Sequence, residues 1–189
     1  MNYLLGIVLS MSLACQPSFS SGTEQEEDTV EVSGDDSASM RPSPSIFINE
    51  FMASNSSIVF EDMPEDYTPD WIELFNASAD PLDLEGFTIT DDLNEPAAHT
   101  FAKVVIEPYG YVVLYADGNP DDGPQHLGFK LDMDGESIGL YAEDGSPLDR
   151  IDYTDMMSDL AAARVPDGGE LVGTYESTPG YSNPTEVLD

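Results

Sequence analysis

The apolar residues of this chain are spaced unevenly: a continuous run at the start, almost none through the next stretch, then short β-type runs divided by turn formers. From Ile46 onward the runs are too short for helices and rich in Val, Ile, Phe, Tyr and Trp, so they read as strands. The predicted strands are Ile46–Met52, Asp70–Asn76, Leu82–Thr90, Thr100–Ile106, Tyr111–Ala116, Ser137–Ala142 and Leu148–Tyr153. Gly86, inside the third of these, suggests a bulge or a close backbone approach. Turn formers lie between the runs: Pro108-Tyr109-Gly110, Asp117-Gly118, Asp134-Gly135 and Asp144-Gly145-Ser146-Pro147. The last of these joins Ser137–Ala142 to Leu148–Tyr153 as a β-hairpin. Only Asp155–Ala163 reads as a helix, of at most about two turns, because Ala161–Ala163 supplies helix propensity.

About seven short strands with turns at this spacing predict an all-β sandwich or barrel rather than a parallel sheet. A domain of about 140 residues buries close to two-thirds of its unfolded surface, enough for one core without disulfides. No internal repeat is visible.

The opening run, Tyr3 to Leu9, is followed by Ser12-Leu13-Ala14-Cys15. It falls short of the roughly 20 residues needed to span a bilayer, but it fits the core of an export signal. Residues 1–14 are therefore expected to be a signal peptide; a buried N-terminal helix fits poorly with the acidic stretch that follows. Cys15 is the only cysteine, so no disulfide forms within one chain. Its position resembles the end of a bacterial lipobox, where the cysteine carries lipid. Two features depart from that pattern: Ser12 stands where leucine is usual, and no Lys or Arg precedes the run. Lipidation of Cys15 and ordinary cleavage near Ala14 both stay open. Each buried methylene of an acyl chain contributes about 0.8 kcal/mol, so two or three chains hold a protein at a membrane where one does not.

Residues 15–45 are expected to form a disordered acidic linker, since they offer almost nothing to bury. Glu24, Glu26, Glu27, Asp28, Glu31, Asp35 and Asp36 repel one another, and Pro42 and Pro44 stiffen the approach to a domain over residues 46–183. A short tail, residues 184–189, completes the layout. A spacer and a passive leader both fit the linker.

Charge narrows the partners. Against 38 acidic residues stand 5 basic ones, a net charge of -33. Nucleic acids and anionic membrane surfaces are repelled, because affinity for either is built from Lys and Arg. The expected partner is an unknown protein or envelope component of cationic or cation-bridged character. Contact with a membrane is expected only through the N-terminal lipid.

Several segments together resemble the lamin-tail domain. They are INEFMASN at Ile48–Asn55, DWIELFN at Asp70–Asn76, LDLEGFTITDD at Leu82–Asp92 and YGYVVLYADG at Tyr109–Gly118. HLGFKLDMDGESIGLY at His126–Tyr141, RVPDGG at Arg164–Gly169 and TPGYSN at Thr178–Asn183 continue the series. The resemblance implies an immunoglobulin-like two-sheet β-sandwich with about seven to nine strands and no catalytic machinery. Lamin tails are associated with chromatin and protein contacts; the charge of this chain argues against carrying over the first.

Candidate chemistry is sparse. His-Glu-x-x-His and paired cysteines are absent, so the zinc-protease template fails. His126, in the HLGFKL segment, is expected to make a hydrogen bond at a strand entrance rather than to catalyse. Trp71 is expected to anchor the core. Glu73 alternates with Trp71 and Phe75, and Glu50 with Ile46, Ile48 and Met52, so either glutamate on a core face needs a donor. Arg164 is the candidate. Asp117, Asn119, Asp121 and Asp122 place oxygen ligands as a calcium loop does, and Asp132 and Asp134 form a second acidic cluster with Glu136. The comparison with an EF-hand fails at Asp122, where glycine is needed, and at Gly128, where glutamate is. Weak calcium binding and a solvated acidic loop both remain open; no other cofactor is expected. The expected function is thus a non-catalytic, monomeric interaction module on an exported lipoprotein at a bacterial envelope, with calcium-dependent adhesion as the alternative.

Overall fold

Strand β2 (Trp71–Asn76) is buried at every position, although an antiparallel strand ordinarily alternates between core and solvent. Both faces of its sheet must therefore be covered, and the architecture follows from how that is done. The computed structural model describes residues 45–184 except 62 and 175. The expected signal peptide, Cys15, the acidic linker up to residue 44 and the tail beyond residue 184 lie outside the described residues.

A five-stranded antiparallel sheet runs in the order β11-β10-β1-β2-β7. Its members are β1 (Ile46–Met52), β2, β7 (Tyr111–Tyr115), β10 (Ala161–Val165) and β11 (Glu170–Thr174). Facing it is a four-stranded sheet in the order β5-β4-β8-β9, built from β4 (Thr88–Thr90), β5 (His99–Thr100), β8 (Ser137–Tyr141) and β9 (Pro147–Asp152). A small ladder of β3 (Leu82–Asp83) and β6 (Val105–Ile106) closes one side. Ile48, Phe51, Ile72, Leu74 and Leu114 of the first sheet meet Ile89, Ile138, Leu140 and Ile151 of the second in one core. Leu84, Phe101, Leu127 and Phe129, from the connections, fill the ends. This is the expected immunoglobulin-like sandwich, and the β8–β9 hairpin forms as the turn residues dictate.

The outer face of the larger sheet has its own cover. Met52, Trp71 and Ala161 make a second apolar cluster, onto which Ile58 and Phe60 of the β1–β2 connection pack. The Phe60 ring meets Trp71 edge-on at 6.4 Å and Tyr115 at 5.0 Å. Asn55 holds this connection in place: its N–H donates to Asp70 and its amide to the Ile58 and Pro69 carbonyls.

Strand β1 changes face part-way along. A bulge between Ile48 and Glu50 shifts its register against β2, so Ile48 lies opposite Leu74 but Glu50 lies opposite Glu73. One extra residue reverses the side-chain alternation. Ile46, Ile48 and Phe51 thus point into the core, while Glu50 and Met52 join Trp71 and Glu73 on the outer face. The expectation that Glu50 shares a face with Ile46 and Ile48 is corrected by this bulge.

Other boundaries differ too. The predicted Leu82–Thr90 strand is β3 and β4, separated by a turn at Gly86 with φ of 83°. The predicted Thr100–Ile106 strand is likewise β5 and β6. Ala161–Ala163 belongs to β10 instead of a helix, because it pairs with β1 on one side and β11 on the other and is buried there. Tertiary pairing overrides a propensity difference of a few tenths of a kcal/mol per residue. No α-helix occurs among the described residues. Strand β11, with Gly173 inside it, carried too weak a pattern to be predicted.

Two substitutions measure this architecture. Trp71 is wholly buried, so Trp71→Ala is expected to cost roughly 3–5 kcal/mol in denaturant unfolding. A loss below about 1 kcal/mol would remove it from the core. At Gly135, φ is 111° and an added Cβ would lie 2.7 Å from the Thr154 Cα and 2.8 Å from the Tyr153 carbonyl oxygen. Neither backbone atom can yield, so Gly135→Ala should lose more than about 2 kcal/mol. Unchanged stability would contradict this packing.

Candidate functional site

The chain leaving β7 turns back along it. The Tyr115 N–H donates to the Gln125 carbonyl at 2.7 Å, the Leu127 N–H to the Tyr115 carbonyl at 2.8 Å, and the Gly118 N–H to the Phe129 carbonyl at 3.1 Å. Residues 119–124 are thereby folded into a short loop around a single 3-10 turn, Pro120–Asp122. This doubling back brings Asp122 and His126 to Asp117. Asp117 is 4% exposed. Its Oδ1 accepts from the Asn119 N–H at 2.9 Å, and its Oδ2 meets the Tyr67 hydroxyl at 3.1 Å and His126 Nδ1 at 2.6 Å. Burial, then the Asp117 charge, pushes the Tyr67 phenol above its ordinary value.

Ligand atoms of Asp117, Asp122 and His126 all lie within 4.8 Å of one another. Among the described residues this is the one group of three or more His, Cys, Asp or Glu arranged to hold a metal. A cavity of about 430 Å³ opens onto it, lined by Met63, Pro64, Tyr67, Asn119, Asp122 and His126. The oxygen set suggested by sequence spacing is not assembled as such. Asn119 contributes its N–H, and its side-chain amide donates to the Asp117 carbonyl at 3.3 Å. Asp121 is exposed and outside the group. Asp132 and Asp134 belong to the turn before β8, where the Asp132 N–H donates to Glu136, the Asp134 N–H to Asp132, and Tyr153 to the Asp132 carbonyl. His126 is the member that spacing missed, since only the return of the chain along β7 reveals it.

A second polar centre lies under the C-terminal segment. Glu50 and Glu73 are both wholly buried. Glu50 accepts from the Thr178 N–H at 3.1 Å, and Glu73 from the Gly180 N–H at 2.6 Å and the Asn49 amide at 3.0 Å. Arg164 does not serve them, contrary to the expectation. It donates from Nη2 to both oxygens of Asp149 at 3.0 Å, from Nε to the Ile48 carbonyl at 3.0 Å and from Nη1 to the Gly169 carbonyl at 2.8 Å. Its position on β10 alternates away from Ala163, which is the residue opposite Glu50.

Comparison with known families agrees with this architecture. The family model described as the lamin tail domain matches residues 39–155. The chain belongs to the lamin tail domain family. No curated protein matches it. The matched span of this lamin tail domain carries β1–β9 and the Asp117–His126 loop, whereas β10, β11 and the segment over the glutamates lie beyond it.

Burial pushes the glutamates and their neighbour Asp167 the same way, but their hydrogen bonds leave them shifted in opposite directions. Desolvation pushes Glu50 up to about 7 and Glu73 up to about 8, against the hydrogen bonds that favour ionisation. Burial also acts on Asp167, but donors from Asn49, Ser182, Asn183 and Tyr111 hold its carboxyl below the ordinary value. Because the glutamates of the folded lamin tail domain keep their protons above the ordinary 4.5, the native state binds more protons than the unfolded chain between those limits. The two glutamates therefore lose stability as pH rises through that window, outweighing the single His99, which burial holds below 6.5 and which acts in the opposite sense under that value. Asp167 acts in the opposite sense, below 3.8, and so outside it. Melting temperature at fixed ionic strength is therefore expected to drop from about pH 5 to about pH 8.5, and Glu73→Gln to flatten the slope. A melting temperature that rises across this range, or an unaltered slope in Glu73→Gln, would contradict the assignment.

Proposed function

We propose that this lamin tail domain is a non-catalytic interaction module, held at a bacterial envelope membrane by acyl chains on Cys15 and carried outward on the acidic segment of residues 16–45. The observation that carries this reading is the order of parts. An apolar run from Tyr3 ends at Ala14-Cys15, an acidic stretch follows, and then comes a lamin tail domain. Two or three acyl chains suffice for stable anchorage.

The domain offers its partner the loop end around Met63, Tyr67, Asp122 and His126, where apolar and acidic groups share an open cavity. With 38 acidic residues against 5 basic ones, a cationic protein or envelope component is the complementary partner. Calcium-dependent adhesion, the alternative raised by the spacing of Asp117, Asn119, Asp121 and Asp122, is separated from this reading by metal titration.

In a host that acylates exported proteins, the wild type is expected in the membrane fraction, labelled by fatty acid, and Cys15→Ser in the soluble one. Equal fractionation of both as soluble protein would remove the tether. Capture of a cationic envelope component by the displayed domain should be lost near ~0.5 M salt, where the screening length is only a few ångströms.

A further inference from the structure

We propose that Asp117, Asp122 and His126 form a site for a divalent transition-metal ion of the zinc class, with coordination positions left open toward the cavity at the loop end. The inference deepens the interaction-module reading and rests on it for the role of the ion.

The ligand set decides the class of cation. Calcium and magnesium take oxygen ligands, whereas imidazole suits zinc, cobalt and nickel. Two carboxylates and one imidazole offer both the donor types and the two negative charges that such an ion needs. Ligands about 2.1 Å from one ion lie at most about 4.2 Å apart. The atoms here already lie within 4.8 Å, and Asp122, which is exposed, can rotate to close the remainder. His126 Nδ1 and Asp117 Oδ2 stand 2.6 Å apart, with one proton between them. A metal bound to both takes the place of that proton, the ring then carrying its hydrogen on Nε2.

The surroundings are those of a metal site rather than of a solvated acidic loop. Asp117 is almost wholly buried and His126 largely so, with side chains 3% and 12% exposed. The Tyr67 hydroxyl and the Asn119 N–H hold the Asp117 carboxylate from behind, as outer partners orient metal-binding carboxylates. Three protein ligands facing an open cavity leave at least one position for water or for a partner's side chain. On an interaction module, that position would bind a carboxylate or imidazole of the partner directly, a cation-bridged contact beside the ionic ones.

The test uses the full chain carrying Cys15→Ser, so that the thiol cannot bind metal. Zinc titrated calorimetrically should bind one-to-one, and cobalt should give the visible absorption of a low-symmetry site with nitrogen and oxygen ligands. Asp122→Asn and His126→Gln should each weaken zinc by more than about 10-fold, the scale on which even outer partners act. His126→Gln should also abolish the cobalt spectrum, and millimolar calcium should not displace zinc. Asp122 is on the surface, so Asp122→Asn tests the site in a domain that stays folded, as circular dichroism will verify. Zinc bound equally well by both variants, or not bound by the parent, would overturn the site. Calcium binding more tightly than zinc at these residues would replace it with the oxygen-ligand alternative. Fractionation is run in chelator, so failure of the tether leaves the zinc result standing, and failure of zinc leaves the tether standing.

Discussion

The bulge at Asn49 is the constraint on which the rest of this domain depends. Ile48 stays opposite Leu74 of β2, but the register of β1 against β10 runs only over Glu50 and Phe51, so the Ile48 backbone groups are satisfied in other ways. Its N–H donates to Asp149 at 2.8 Å, and its carbonyl accepts from Arg164 at 3.0 Å. Asp149 and Arg164 pair with each other. One ion pair thus closes the bulge and joins β9 of the smaller sheet to β10 of the larger. Asn49 itself, fully buried, is bonded to Glu73, Asp167, Gly168 and Asn183. Replacing either member of such a network leaves a buried charge or amide unpaired, which costs far more than the net worth of the pair.

The same bulge explains what the sequence revealed and what it hid. Strands β1, β2, β7, β8 and β9 and the β8–β9 hairpin are local, and they were readable from apolar runs and from turn signals such as Asp-Gly and Pro-Tyr-Gly. The face of Glu50 was not, because a bulge has no signature in the alternation that it interrupts. Nor were the partners of the glutamates. Thr178 and Gly180 are separated from them by 128 and 107 positions, and they donate through backbone N–H groups that any residue type but proline supplies. Arg164 looked like the natural counterion because charge is visible in a sequence. Backbone donors are not.

The loop beyond β7 gave a mixed result for a related reason. Regular spacing of Asp117, Asn119, Asp121 and Asp122 is a feature of composition along a line, and acidic residues are abundant throughout this chain. The fold selects from that line by geometry: Asp117 and Asp122 turn toward His126, Asp121 faces solvent, and Asp132 and Asp134 cap a different turn. In so acidic a chain a carboxylate carries little information about a site. The second of two histidines, brought against a buried aspartate, carries much more.

The C-terminal segment also sets the timing of folding. Asn49 in the first strand is completed by Asn183, 134 positions later, and Glu50 and Glu73 remain without their backbone donors until Thr178 and Gly180 arrive. Until that segment is made, a growing chain leaves the polar part of this outer face without its donors, although Ile58 and Phe60 of the β1–β2 connection pack on Trp71. Topologies dominated by such distant contacts form slowly, since chain closure precedes most of the gain. The central strands of the domain are thus completed only when a segment more than 100 positions away closes over them.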